Sequence, residues 1–306
     1  MSTATFKAPL PLVADPSRIS GTYATTLTDV NLAFFQEHGY LICPAWIAAD
    51  DLQRLRDEID TWNSGGVDDR YAPPVKESSE TPDRTGRQMD FPGHWNLFTH
   101  PALMTLVTRL LGPGFAHHHL HTAKHTTGDR GVNWHHDYEQ HPQTNRSHGM
   151  LHTFWYLNGL DGTIGDLLVV PSSQRMILER GTLGHWGTQD LPGTLVVDDI
   201  PPGSMVIVHS AVLHARRAKS GGENKPRYFI DSSYCQKGIR WPHVSGWLKA
   251  HARVLADGRA AASGVEHLFD PGHFYSTDEV DWTAFHQLNH GSLLPSLVPS
   301  KLAPTT

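Results

Sequence analysis

Cysteine is scarce: the 306 residues contain two, Cys43 and Cys235. They stand far apart in sequence, so a disulfide scaffold is excluded and the reducing cytoplasm is the expected compartment. Charge is sparse as well. Asp, Glu, Lys and Arg make up 18% of the chain, and 25 Lys+Arg against 31 Asp+Glu give a formal charge of -6. A basic footprint for nucleic acid is therefore missing. No apolar run reaches the ~18 residues of a membrane span, and Met1–Leu10 has no apolar signal core, so neither a span nor a secretory leader is expected. The pairs Gly65-Gly66 and Gly221-Gly222 are followed by no Lys-Ser/Thr, which leaves nucleotide binding unsupported. What the chain does have is 39% hydrophobic residues, enough for a sizeable core, with 27 Gly, 21 Pro and 22 His. So much Gly and Pro favours many turns and short strands over long helices. The histidines pose the functional question.

Helical periodicity comes first along the chain. Asp29–Glu37 places Val30, Ala33 and Phe34 on one face, with Thr28 or Asp29 as N-cap. Tyr40-Leu41-Ile42 reads as a short strand after Gly39. In Asp50–Trp62 the residues Leu52, Leu55, Ile59 and Trp62 form one buried stripe, with Arg54, Asp57, Glu58 and Asp60 directed away. Pro101–Leu111 is a third helix, opened by proline and closed by Gly112. Between them Asn63–Gly93 shows no period, and so long a connection is expected to work as a substrate-facing loop together with Trp241–His273. Beyond residue 115 the texture becomes strand-like. Phe115–Lys124, Met150–Asn158, Leu167–Val170, Thr194–Val197, Met205–Val208 and Tyr228–Tyr234 are short runs split by turn residues. That pattern predicts an antiparallel double sheet, a sandwich or jelly roll. Helical texture returns at Ser245–Leu255 and weakly at Asp281–Leu288, and Gly291–Thr306 reads as a tail. The expected organisation is a single domain over 1–306: N-terminal helices in 29–111, a jelly-roll core at about 115–235, and a C-terminal segment 240–306.

The segment Asn133-Trp134-His135-His136-Asp137 carries the chemistry. On a strand, His135 and Asp137 share a face and His136 points oppositely. An imidazole beside a carboxylate supplies two of the three ligands of a 2-His-1-carboxylate site for Fe(II), leaving open positions. A third ligand must come from elsewhere, and the stretch from Pro202 to His214 offers a turn, an apolar strand and two histidines, His209 and His214. Arg227, thirteen residues beyond His214, opens a strand where a guanidinium can grip a carboxylate bidentately. His117, His119 and His121 form a rival: on a regular strand they share a face, and zinc or copper accepts imidazole. Arg216, Arg217 and Lys219 make a basic run near the site, either a solvated rim or an anion grip.

These residues resemble the phytanoyl-CoA dioxygenase-like branch of the Fe(II)/2-oxoglutarate-dependent oxygenases. The likeness runs from Val30 to Tyr234. It includes Phe34-Phe35-Gln36-Glu37-His38-Gly39-Tyr40-Leu41, then Lys124, and then Trp134-His135-His136-Asp137. The element from Asn158 to Gln174 is similar to the family's Gly-x-Leu-x-x-x-Pro-Gly-Ser-His, although Ser172-Ser173-Gln174 replaces its end. Pro202-Gly203 through His214 and then Arg227 complete the order, with Ala215-Arg216-Arg217 where a small pair commonly follows the ligand. The resemblance implies a double-stranded β-helix (jelly roll, cupin-like) with flanking helices. It implies that His135, Asp137 and His214 bind Fe(II), that Arg227 holds the distal carboxylate of 2-oxoglutarate, and that Lys124 assists. It further implies hydroxylation of a small organic substrate by O2 with release of succinate and CO2. With Asp137 retained, halogenation is disfavoured. A cupin-like metalloenzyme without 2-oxoglutarate and a non-catalytic jelly-roll binding protein remain the alternatives. Arg227 argues against the first and the complete triad against the second.

Overall fold

A computed structural model describes residues 27–64, 85–140, 145–219, 221–243, 246–275 and 279. Nine strands form two antiparallel sheets within this set: β1 Tyr40–Cys43, β2 Phe115–His125, β3 Val132–His135, β4 Met150–Tyr156, β5 Leu167–Val169, β6 Leu195–Val197, β7 Ser204–His209, β8 His214–Arg216 and β9 Arg227–Gln236. The larger sheet runs β1-β7-β4-β9-β2 and the smaller β3-β8-β5-β6. Mainly β with helices on one flank, this is the jelly roll expected. Each strand alternates between two cores. Along β7, Val206 and Val208 enter the core between the sheets, with Tyr40, Ile42, Phe154, Tyr156, Leu167 and Val169. Met205 and Ile207 point the other way, into a core shared with the helices.

The helical layer consists of α1 Asp29–His38, α2 Ala49–Ser64, α3 Pro92–Phe98, α4 Pro101–Leu111, α5 Trp247–Ala256 and α6 Arg259–Ala262. Thr28 caps α1 in a reciprocal capping box with Asn31, satisfying donors the helix start leaves open. Gly39 ends it at φ 78°, where a Cβ would run into Val212. The buried face of α1 is Asn31 and Phe35, not the expected stripe: Val30 is 78% exposed. Adjacent phenylalanines leave the phase of so short a helix ambiguous, and packing chooses it.

Helix α2 buries Leu52, Leu55, Ile59 and Trp62 as its stripe requires, and it buries Glu58 too. This carboxylate accepts from the Gly93 and His94 N–H groups at 2.7 and 3.0 Å and lies 2.8 Å from His94 Nδ1. It therefore caps the start of α3, where an anion is favourable. Within the segment read as aperiodic, Arg87–Asp90 forms a 3-10 turn and α3 begins at the segment's end, while 65–84 lie outside the described residues. So do Asp281–Leu288, the tail and Ser245. The stretch expected at a substrate rim, Trp241–His273, is largely a packed layer, with Trp241, Trp247, Ala250 and Val254 buried.

One irregularity decides which histidines face inward. Strand β2 pairs with β9 as His117↔Tyr234 and then His119↔Ser233, a bulge at His118. A bulge adds a residue and reverses the alternation beyond it. His117 consequently lies on the helix side with Phe98 and His251, whereas His119 faces the space between the sheets. Leu120 joins the helix-side core, Thr122 meets His94 at 2.9 Å, and Lys124 meets Asp60. The expected single face of His117, His119 and His121 does not exist.

Candidate metal centre

His135 ends β3 and His214 begins β8, cross-strand partners in the smaller sheet. Asp137 follows two residues after His135, its N–H donating to Ser210 O at 2.7 Å. The ligand atoms of His135, Asp137 and His214 all lie within 4.8 Å of one another. His214 Nε2 is 3.1 Å from Asp137 Oδ2 and His135 Nε2 is 3.5 Å from Asp137 Oδ1. The rings tilt against each other with centroids 4.3 Å apart.

The backbone sets the proton positions. His135 Nδ1 lies 2.7 Å from Asn133 O, and His214 Nδ1 lies 3.1 Å from Val212 O. A carbonyl only accepts, so both Nδ1 atoms carry the hydrogen and both Nε2 lone pairs face the carboxylate. Three acceptors converging without a hydrogen between them suit a divalent cation. Burial, followed by the neighbouring His214, pushes the His135 imidazole down to about 3. Burial alone would raise the Asp137 carboxyl, but with both imidazoles neutral the Arg180 guanidinium beside it still holds it below the usual carboxylate range. Neutral imidazole and ionised carboxylate are the states a metal requires.

Sequence reasoning missed Arg180. Its Nη2 donates to Asp137 Oδ1 at 2.6 Å and its Nη1 to Glu139 Oε1 at 3.2 Å. It arrives from the irregular connection between β5 and β6, where no motif marks it. His136 turns away, with Nε2 2.8 Å from Leu178 O. His209 stacks on Tyr138 with centroids 6.0 Å apart and its Nδ1 accepts from Ala211 N–H, so it stands outside the cluster.

Arg227 lies buried at the start of β9. Its guanidinium sits 4.5 Å from the Phe229 ring centre and 5.0 Å from that of Tyr156, with Nη1 3.3 Å from His125 Nδ1. Phe229 packs on Phe154 at 5.5 Å, and Phe154 on His214 at 5.4 Å. An aromatic row thus joins Arg227 to the triad inside the barrel. Lys124 is not brought to this interior. Its ammonium donates to Asp60 Oδ1 at 2.7 Å on the opposite face of β2. Nor is the basic run a rim: Arg216 is buried and donates to Arg130 O, and Lys219 donates to Gly221 O and Gly222 O. Arg217 pairs with Asp166 and Asp190.

A jelly roll with two histidines and a carboxylate converging at one end is the architecture of the cupin-like oxygenases. Residues 35–225 match the phytanoyl-CoA dioxygenase (PhyH) family. This is more than half of the chain, which belongs to that family. Among solved structures, the non-heme alpha-ketoglutarate-dependent carbocyclase SnoK from nogalamycin biosynthesis is similar with TM-score 0.58 at 16% identity, over 75% of this chain and 93% of that one. The epimerase SnoN, in complex with Fe3+, alpha ketoglutarate and nogalamycin RO, gives 0.54 at 16% identity over 72% and 85%. EctD from S. alaskensis, with 2-oxoglutarate and 5-hydroxyectoine, gives 0.51 at 16% identity over 74% and 82%. At such identities the likeness is one of fold. No curated protein matches the sequence. Among the described residues no helix is long and apolar enough to cross a membrane.

Proposed function

We propose that the chain is an Fe(II)- and 2-oxoglutarate-dependent oxygenase that hydroxylates a small organic molecule. The observation carrying this is the convergence of two bare Nε2 atoms and an ionised carboxylate, with both histidine tautomers fixed by backbone carbonyls. His135, Asp137 and His214 would hold the iron. Bound there with 2-oxoglutarate and O2, it supplies the oxidising chemistry, with succinate and CO2 as by-products. Arg227 would bind the distal carboxylate of 2-oxoglutarate, as the charge and fork of a guanidinium suit. The rings of Phe229, Tyr156 and Phe154 wall this path and keep water from the charged groups. Arg180 donates to Oδ1 of Asp137 and would thereby fix how that carboxylate is presented to the metal. With Asp137 as a third protein ligand the site would not be opened for a halide, so the product should be hydroxylated rather than halogenated. The buried thiols Cys43 and Cys235 suit the reducing cytoplasm.

The relatives of similar fold include enzymes described as a carbocyclase and an epimerase, so the test must read the product. A panel of small molecules is screened for succinate release in the presence of Fe(II), 2-oxoglutarate and isotopically labelled O2. The expected result is a product carrying one labelled oxygen, with the other in succinate, and no turnover by His214→Ala. Succinate release that survives His214→Ala, or a halogenated product in excess chloride, would contradict the reading.

A further inference from the structure

A second group of ligating side chains lies on the inner face of the larger sheet. Neighbouring strands β2, β9 and β4 bring together His119, Asp231 and His152, and their ligand atoms all lie within 4.8 Å of one another. All three residues are buried. None belongs to the triad, and the Phe154 ring stands between, 5.7 Å from His152 and 5.4 Å from His214.

The hydrogen-bond chain leading into this cluster fixes where its lone pairs point. His118 Nε2 lies 2.8 Å from Pro242 O and 3.5 Å from Glu139 Oε2, both acceptors, so Nε2 carries the hydrogen. A buried ring is favoured in its neutral form, which leaves Nδ1 of His118 as a lone pair. His119 Nδ1 sits 2.8 Å from that atom and must therefore be the donor. Its Nε2 is then bare, and it faces Asp231 Oδ2 at 3.9 Å, acceptor against acceptor. His152 Nδ1 donates to both oxygens of Asp231 at 2.9 and 3.1 Å. Its Nε2 is fully buried without a hydrogen-bond partner. His119 thus aims a lone pair at a carboxylate, as the triad histidines do, while His152 differs from them in donating to that carboxylate and keeps an unmatched second nitrogen.

We propose that His119, through Nε2, Asp231, through its carboxylate, and His152, through an imidazole nitrogen, bind a second divalent cation of the zinc type. Two imidazoles and a carboxylate suit a borderline ion such as Zn(II). Bonds of about 2.1 Å at tetrahedral angles need donors about 3.4 Å apart. The 3.9 Å between His119 Nε2 and Asp231 Oδ2 closes to that by a shift of about half an ångström. The ion staples β2, β4 and β9, and three protein donors leave a fourth position for water or a substrate oxygen in the space both clusters line.

The test is metal stoichiometry, independent of turnover. The full chain is dialysed against Zn(II), passed through a desalting column, and analysed for metal per chain. Wild type should retain two ions. The double variant His135→Ala/His214→Ala should retain one, and so should Asp231→Asn and His119→Ala. Asp231→Asn keeps the shape of the side chain and an acceptor for His152, so its fold should survive, as circular dichroism would show. Co(II) added to the triad-free double variant should give the visible absorption of a low-coordinate site, and Asp231→Asn in that background should remove it. A triad-free variant that binds no metal overturns the proposal. So does an unchanged stoichiometry in folded Asp231→Asn.

Discussion

Two side chains at the centre bear most directly on chemistry, and neither is itself a ligand. Arg180 ties Asp137 to Glu139, and partners of this kind typically tune metal affinity by about 10–100-fold. Arg180→Ala should weaken Fe(II) binding within that range, with Arg180→Lys intermediate, as read by anaerobic metal titration; unchanged affinity in both would make Arg180 a bystander. Arg227 is the residue proposed to hold the co-substrate. Its replacement by Ala should cost on the order of 2–5 kcal/mol of 2-oxoglutarate binding, and its replacement by Lys somewhat less. Affinities within a factor of about two of wild type, little over 0.4 kcal/mol, would make the guanidinium structural. Lys124→Ala, by contrast, should leave 2-oxoglutarate affinity unchanged, because Lys124 is engaged with Asp60 away from the barrel interior. At this scale the sequence was readable where clustered residues sit in a short motif, as with His135 and Asp137. It was silent for Arg180, His152 and Asp231, which reach their sites from separate strands and loops with no local pattern.

Periodicity reveals most of the strands and the apolar stripe of α2, since burial on one side imposes a repeat that residue order displays. The bulge at His118 is another matter. Pairing between β2 and β9 creates it, and nothing within Phe115–His125 announces the reversal that turns Lys124 outward. Helix α3 was equally hidden. At seven residues, Pro92–Phe98 is too short to show a period, and its start is stabilised by a carboxylate from another helix. That dependence can be measured. Glu58→Ala leaves the Gly93 and His94 N–H groups without their acceptor and should destabilise the fold by on the order of 2 kcal/mol. Denaturant unfolding of the variant, beside Glu58→Gln, which retains an acceptor, checks it. Equal stability of Glu58→Ala and wild type would contradict the capping role.

The molecule as a whole buries many imidazoles, and this shapes its response to acid. Burial, then Arg146, lowers His209 to about 4; burial, then His117 and His118, holds His251 well below the ordinary histidine range. The unfolded chain therefore binds protons that the native state refuses, starting near the ordinary histidine value of about 6.5. Stability should be fully present above that pH and should fall steadily between about 6.5 and 4. Denaturation free energies flat across that window would contradict the burial of these rings. The central claim concerns the triad and its co-substrate acting together. Its most direct test is anaerobic titration of 2-oxoglutarate into the protein with and without Fe(II), followed by calorimetry and by the visible charge-transfer absorption of an iron–keto-acid chelate. The account predicts that 2-oxoglutarate binds tightly only to the iron-loaded protein, that the absorption appears with it, and that His214→Ala abolishes it. Binding indifferent to iron, or an absorption that persists in His214→Ala, would contradict it.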